Sequence, residues 1–568
     1  MSGGANGGVG NGAGGGGGSG AGGAGNTGNV PPEVELESSF QSPVSTGKLV
    51  WTANPDSGRV ALVDALSFEV RIVEAGFSPT YLSAIPGGSD AAIVLNTGSR
   101  DATVLRASQA GVSSVTLPTH DGANAWAISD SAEWAMAWTD ARRVIGADVT
   151  QGFQDVTVLR ITEGKEAATR ISVGYRPERV FYNADATRAF VVSEPGISVV
   201  ELDPLGPRVS RQVEVSSDPL DNPASRDVTI TRDGSVALVR RDGSPDVRFV
   251  DLETGDFSEI ELQGDVTDLD LSESGELAVA VVREAGLASA GGGVPGAGAA
   301  GAAGAGGAAG AGGSAGQANA GAGGSAGSSS GGAPQDAGVG GAAQDADAGD
   351  AEAPFVHSSQ LVLLPLPGVL SDPSLRQTLT SSEVFGSVSL SPTDNPALLY
   401  TNAIPSGRVS IADTSSLTLR AVDLKAPVRA AFVTPDGAHA IVLQSPAAGS
   451  TKAGGFSVVP TAELRAPKIV GTEATPMSVA ISATSDRALI TVRLDAEQLY
   501  GVYLVQLPSL QVDYFQLASP PLAAGMVSGA RRGYVAQEHP EGRVTFIDLD
   551  KGEPRTLTGF ELGAKVVD

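Results

Sequence analysis

Two pairs of adjacent arginines offer the clearest chemistry in this sequence. Asp140-Ala141-Arg142-Arg143 opens a long loop running to about Asp155, and Arg240-Arg241-Asp242 is expected to open another in the equivalent position. A guanidinium presents a planar fork of N–H donors that can grip a carboxylate or phosphate through two parallel bonds. Arg142, Arg143, Arg240 and Arg241 are therefore the candidate binding residues, and ordinary ion pairing with the nearby aspartates is the competing use. Trp126, Trp134 and Trp138 form the densest aromatic group. They could stack a sugar or another flat ligand, or pack between structural units, which suits so bulky a side chain.

Other chemistries find little support. The four histidines, His120, His357, His439 and His539, are far apart, and His439 follows a tight turn where a solvent-facing side chain is expected. The run Asp345-Ala346-Asp347-Ala348-Gly349-Asp350-Ala351-Glu352 spaces carboxylates like a calcium loop, but Val356 stands where such a loop needs its bidentate glutamate. A solvated acidic linker fits it better. The chain has no cysteine, which removes disulfides, thiolate metal sites and cysteine nucleophiles. No Gly-x-Ser-x-Gly elbow stands at a strand-to-helix junction, and no glycine-rich phosphate loop follows a strand and opens a helix. The expectation is thus no catalytic residue, no metal and no cofactor.

Charge bounds the partners. A formal net charge of −27 repels phosphate backbones, so nucleic acid is not an expected partner. No run of about 18 apolar residues exists to span a membrane. A protein or small-molecule ligand remains, without an identity.

The elements that must carry these residues are short strands and turns. Phe432-Val433-Thr434-Pro435-Asp436-Gly437-Ala438-His439-Ala440-Ile441-Val442-Leu443 is an apolar strand, a tight turn and a second apolar strand. The pattern returns with turns at Pro55-Asp56-Ser57-Gly58, Asn183-Ala184-Asp185, Thr231-Arg232-Asp233-Gly234, Ser272-Glu273-Ser274-Gly275 and Ser391-Pro392-Thr393-Asp394. Cycles start near Ala125, Pro177, Asp227, Val266, Gly386, Val428, Met477 and Leu522, and many end their third strand on an aspartate: Asp64, Asp203, Asp251, Asp413 and Asp548. Aspartate bonds its own backbone two residues on, and glycine takes positive φ without a Cβ penalty. A fixed period of about 40 residues with almost no helical patterning predicts four-stranded propeller blades; a pair of β-sandwiches would need no such period.

Composition separates the ordered parts. Residues 1–35 are glycine-rich and read as a disordered tether, and residues 286–355 are a Gly/Ala/Ser-rich acidic insertion with nothing to build a core. The propeller is expected over 36–568. Because Glu276–Arg283 reads as a second strand and Gln360–Leu366 as a third, the insertion should lie inside one blade. The expected fold is all-β, a propeller of about ten four-stranded blades, as one large ring or as two smaller propellers in tandem. Closure is expected to pair strands from the two termini, with Phe560–Val567 or Leu36–Pro43 as the inner strand of the first blade.

Tyr400-Thr401-Asn402 with Gly407-Arg408-Val409-Ser410-Ile411-Ala412-Asp413, and Trp51-Thr52-Ala53-Asn54 with Gly58–Asp64, resemble the YVTN-type and WD-repeat-like β-propeller unit. The resemblance covers about 45–568 apart from the insertion and implies architecture only, since propellers host many unrelated functions. The first residues resemble the spacer behind the lipid-bearing cysteine of bacterial lipoproteins, although neither that cysteine nor a basic and apolar leader is present. The expectation is a non-enzymatic binding or scaffolding propeller of the bacterial envelope or outside the cell. The alternative is a propeller enzyme, lactonase-like or quinoprotein-dehydrogenase-like, with its site in the central channel.

Overall fold

A computed structural model of the chain describes residues 43–87, 90–216, 218, 221–283, 358–462, 465–539 and 542–559. Ten four-stranded antiparallel sheets follow one another, each a meander whose spatial order is its chain order. They are blades 1 to 10, over 44–74, 79–118, 125–172, 177–214, 226–261, 265–381, 387–423, 428–472, 475–516 and 521–558. The starts fall within two residues of those expected from the repeat.

Strand alternation explains why the blades stack. In blade 1, Leu49 and Trp51 pack toward blade 2, while Val50 between them packs toward blade 10. Leu62 likewise faces blade 2, and Ala61 and Val63 face blade 10. Each sheet is thus apolar on both faces, with successive side chains serving opposite neighbours. The result is ten hydrophobic clusters, one between every pair of adjacent blades. The tenth joins Val50, Ala61, Val63, Ala65 and Ile72 to Val527, Tyr534, Val544 and Phe546, so the ten blades form one ring and not two in tandem.

The closure differs from the expected exchange of terminal strands. The inner strand of blade 1 is Val44–Thr46, three residues directly before the strand Leu49–Asn54 that it pairs with. Blade 10 is likewise built from one continuous stretch. Phe560–Val567 and residues 36–42 lie outside the described residues. The ring is closed by side-chain packing and by Ser45 Oγ donating to the Met526 carbonyl at 2.7 Å and Gly529 N–H to the Gly47 carbonyl at 2.9 Å. A short inner strand suffices because interblade contact, not a shared sheet, carries the joint.

Turn chemistry follows the expectation. All five strand-ending aspartates accept the N–H two residues on: Leu66 by Asp64, Leu205 by Asp203, Glu253 by Asp251, Ser415 by Asp413 and Asp550 by Asp548. In the Thr-Pro-Asp-Gly turn, Asp436 accepts Ala438 N–H at 3.0 Å and the Thr434 hydroxyl at 2.6 Å. The insertion is also where expected. Leu277–Arg283 pairs with Ser359–Pro365 in the same sheet, with Arg283 opposite Ser359, so 284–357 connects the second and third strands of blade 6.

Candidate ligand-binding face

The fourth strands form the outer rim, since their residues are mostly exposed or half-buried, as in Ala167–Ser172 and Pro554–Thr558. The first strands contact one another across neighbouring blades and therefore surround the channel. Two faces follow from the meander. One carries the tight turns between first and second strands. The other carries the second-to-third-strand connections and the links between blades, and it therefore holds residues 139–154 of blade 3, 242–245 of blade 5 and the link before blade 5, as well as the strand ends Arg283 and Ser359 of blade 6.

Six of the ten first strands carry a β-bulge at their second or third residue, with Thr80, Glu178, Thr267, Arg429, Met477 and Leu522 as the extra residues. A bulge re-aims a side chain and leaves it outside the strand's alternation. Each of these six is half-buried. They stand where the first strand enters from the link face.

The four predicted arginines reach this face, each already engaged. Arg142 makes a two-bond fork to Asp140, Nε to Oδ1 at 3.0 Å and Nη2 to Oδ2 at 3.1 Å. Arg143 reaches the same carboxylate at 3.5 Å and lies over the Tyr81 ring, 5.7 Å from its centroid. Arg240 and Arg241 are the last two residues of the strand Val236–Arg241 and do not open a long loop; the connection after them is only 242–245. Arg240 pairs with Asp242 at 2.9 Å and Asp227 at 3.9 Å, and Arg241 pairs with Asp221 at 3.0 Å. Asp221 also holds Arg226 at 2.9 Å, and Arg179 approaches Asp227 at 3.4 Å.

Arg142, Arg179 and Arg226 line one narrow cleft between blades 3, 4 and 5, together with Glu178 and Asp227. Its free space is about 20 Å³, room for roughly one water molecule. Burial pushes the Glu178 carboxyl up; Arg142 and Arg226 oppose this, while Asp140 and Glu194 add to it. On the channel strand of blade 6, burial raises the Asp268 carboxyl to about 8, with Asp270 adding like charge. Asp268 Oδ2 accepts the Val388 N–H of blade 7 at 2.8 Å, tying two blades together. Neither acid was singled out from the sequence. For Glu178 the usable signal was a proline just before the bulge, as at Pro79, Pro177, Pro476 and Pro521; the strand of Asp268 has no such marker.

Other candidates resolve differently. Trp134 and Trp138 are buried in the core between blades 3 and 4, and Trp126 is half-buried beside them. His120 is buried, with Nδ1 2.9 Å from Thr157 Oγ1 and Nε2 3.2 Å from Thr139 Oγ1, and burial lowers its basicity. His439 is half-buried and not solvent-facing, because it begins the strand His439–Gln444 and its N–H is held by Thr434 Oγ1 at 3.0 Å. His357 and the acidic run 345–352 lie outside the described residues. Among the described residues, no group of three or more His, Asp or Glu side chains is disposed to hold a metal ion, and no helix is long and apolar enough to cross a membrane.

These features define a ten-bladed β-propeller. No protein-family model matches the chain, and no curated protein is significantly similar to it. Solved structures share the fold at a distance. Dihydro-heme d1 dehydrogenase NirN in complex with DHE is 11% identical over 85% of this chain and 76% of its own, with a TM-score of 0.40. A eukaryotic initiation factor is 9% identical over 81% and 96%, with a TM-score of 0.44. The Myceliophteria thermophila Cps50 (Swd1) β-propeller domain is 11% identical over 63% and 91%, with a TM-score of 0.29. The likeness is one of fold alone.

Proposed function

We propose that this chain is a non-enzymatic binding or scaffolding propeller, of the YVTN-type or WD-repeat-like kind, working at the bacterial envelope or outside the cell. The observation that carries the binding reading is a coincidence of place. The 139–154 connection of blade 3, the arginine cleft of blades 3 to 5 and the bulged channel residues all gather on the link face. The opposite face has short turns such as 434–438 and 482–486. Many binding sites on rigid scaffolds are built from such loops. The glycine-rich first residues and the repeat resemblance support the envelope setting.

The test is a panel of acidic peptides, small carboxylates and phosphate esters, scored by thermal shift on the full chain. Ligands of the arginine loops should lose their shift in the Arg142→Gln, Arg143→Gln double variant. Turnover of a lactone or an alcohol, abolished by Glu178→Gln or Asp268→Asn, would instead establish a channel enzyme. The gene upstream of Met1 tests the setting: an in-frame leader ending in cysteine supports it, and an immediate stop codon removes it.

A further inference from the structure

A second cleft lies on the same face, between blades 7 and 8, and its chemistry differs from that of the arginine network. It holds about 370 Å³, within the range of small-molecule pockets. Its walls are the 401–407 connection of blade 7, the link before blade 8 and the start of the first strand of blade 8. Ile404, Pro405, Pro427 and Val428 make it apolar, and Asn402, Ser445 and Arg429 supply the polar groups.

Arg429 is the extra residue of the bulge between Val428, opposite Gln444, and Ala430, opposite Leu443. Its position is fixed from two sides. Nη1 donates to the Pro476 carbonyl of blade 9 at 3.0 Å, and its own carbonyl accepts from Asn402 Nδ2 at 3.2 Å. That uses one of five N–H donors on the guanidinium. Among the described residues no ion pair engages Arg429, unlike Arg142, Arg240 and Arg241, each of which has an aspartate. Burial lowers its basicity, and among the described residues no neighbouring carboxylate opposes that effect. At Arg226, by contrast, Asp221 and Glu178 supply the opposing charge.

We infer that the cleft between blades 7 and 8 is a binding site for a small organic carboxylate, whose anionic end is gripped by Arg429 and whose apolar body lies against Ile404, Pro405 and Pro427. A half-buried guanidinium without a counter-charge is incompletely compensated, and a ligand carboxylate completes it with a geometry that matches the fork. The apolar walls select a carboxylate with a hydrocarbon body over inorganic phosphate. With a net charge of −27 on the chain, distant anions are repelled, so affinity depends on this local contact. The inference rests on the binding reading above for its face, and names a ligand class and a place within it.

The test uses the full chain at low ionic strength, with acetate, butyrate, hexanoate, hexanol and inorganic phosphate as probes, followed by calorimetry or saturation-transfer NMR. Hexanoate should bind, tightening about fourfold for each methylene buried along the series. Hexanol should bind roughly tenfold or more weakly, and Arg429→Gln should weaken hexanoate by a similar factor. Ile404→Trp fills the half-exposed cleft without touching Arg429 and should also abolish binding, which separates loss of the site from a folding defect. No binding of hexanoate, unchanged binding in either variant, or phosphate binding more tightly than hexanoate overturns the inference. The Arg142→Gln, Arg143→Gln variant should keep its hexanoate affinity. If hexanoate fails while other ligands still depend on Arg142 and Arg143, this inference falls and the wider binding reading stands.

Discussion

The Tyr534 hydroxyl donates to the Pro43 carbonyl at 2.7 Å, across 491 residues of sequence. Tyr534 is buried, 1% exposed, in the cluster that joins blade 10 to blade 1. Its ring also fills the space beside Gly525, where a Cβ would meet it at 2.5 Å. One side chain therefore supplies packing and a polar tie at the only joint in the ring that chain continuity does not provide. Tyr534→Phe keeps the packing and removes this hydrogen bond, which should cost about 1 kcal/mol. Tyr534→Ala should cost roughly 3–5 kcal/mol through the cavity it opens. Urea unfolding checks both, and amide exchange of Val44–Thr46 shows whether the loss is local to the joint. Equal losses in the two variants would mean that the hydroxyl, and not the ring, holds the seam.

The arginine network predicts unequal sensitivities. Arg226 and Asp221 have side chains only 6% and 8% exposed, and Arg241 shares the same carboxylate. Asp221→Ala leaves two guanidinium groups without their acid in a poorly solvated site and should cost roughly 3 kcal/mol. Arg142→Gln removes a pair whose cation is 46% exposed and should cost less than about 1 kcal/mol. Chemical denaturation of both variants decides it. Comparable losses would mean that Asp221 is better hydrated than its burial implies.

Asp268 predicts a pH dependence of definite sign. Its carboxyl titrates near 8 in the folded chain because of burial, against about 3.9 when unfolded. The folded state therefore holds the proton more tightly, and stability from this group is full below about pH 4 and lost as pH rises through 8. Asp268→Asn keeps an acceptor for the Val388 N–H and cannot ionise. It should match the parent near pH 4 and exceed it by a margin that grows as pH rises to 8. Melting temperatures across that range supply the check, and parallel curves for the two proteins would reject it.

How much of this was legible in the sequence depends on how local the cause is. Asp413 was readable because its partners, the Ser415 and Ser416 N–H groups, are two and three residues away. The place of the insertion was readable because Leu277–Arg283 and Ser359–Pro365 each carry their own strand pattern. The single ring was not, because Val50 and Phe546 meet from opposite ends of the chain and no local period encodes that contact. The arginine site was half legible. Residue type marked Arg240 and Arg241, but Asp227 and Asp221, which engage them, come from a paired strand and a link that only the folded sheet brings close. Arg429 was missed because an isolated arginine in an apolar strand gives no signal; its meaning comes from the bulge and from the lack of an acid nearby among the described residues.

The Thr-Pro-Asp-Gly turn yields a final prediction that separates backbone strain from contact between blades. Gly437 has φ +70°, and a Cβ there would lie 2.8 Å from the Asn395 carbonyl oxygen and from Ser391 Oγ, both in blade 7. Gly255 has φ +82° with nothing within 4 Å of the same point. Both glycines spare the left-handed conformation its Cβ penalty, so alanine at Gly255 should cost about 1 kcal/mol from backbone alone. Alanine at Gly437 must also push two neighbouring polar atoms aside and should cost roughly 2–3 kcal/mol. Urea midpoints of the two variants measure the difference. If they shift equally, the turn acts only as a turn; if Gly437→Ala shifts further, the repeated glycine also sets how closely one blade seats on the last.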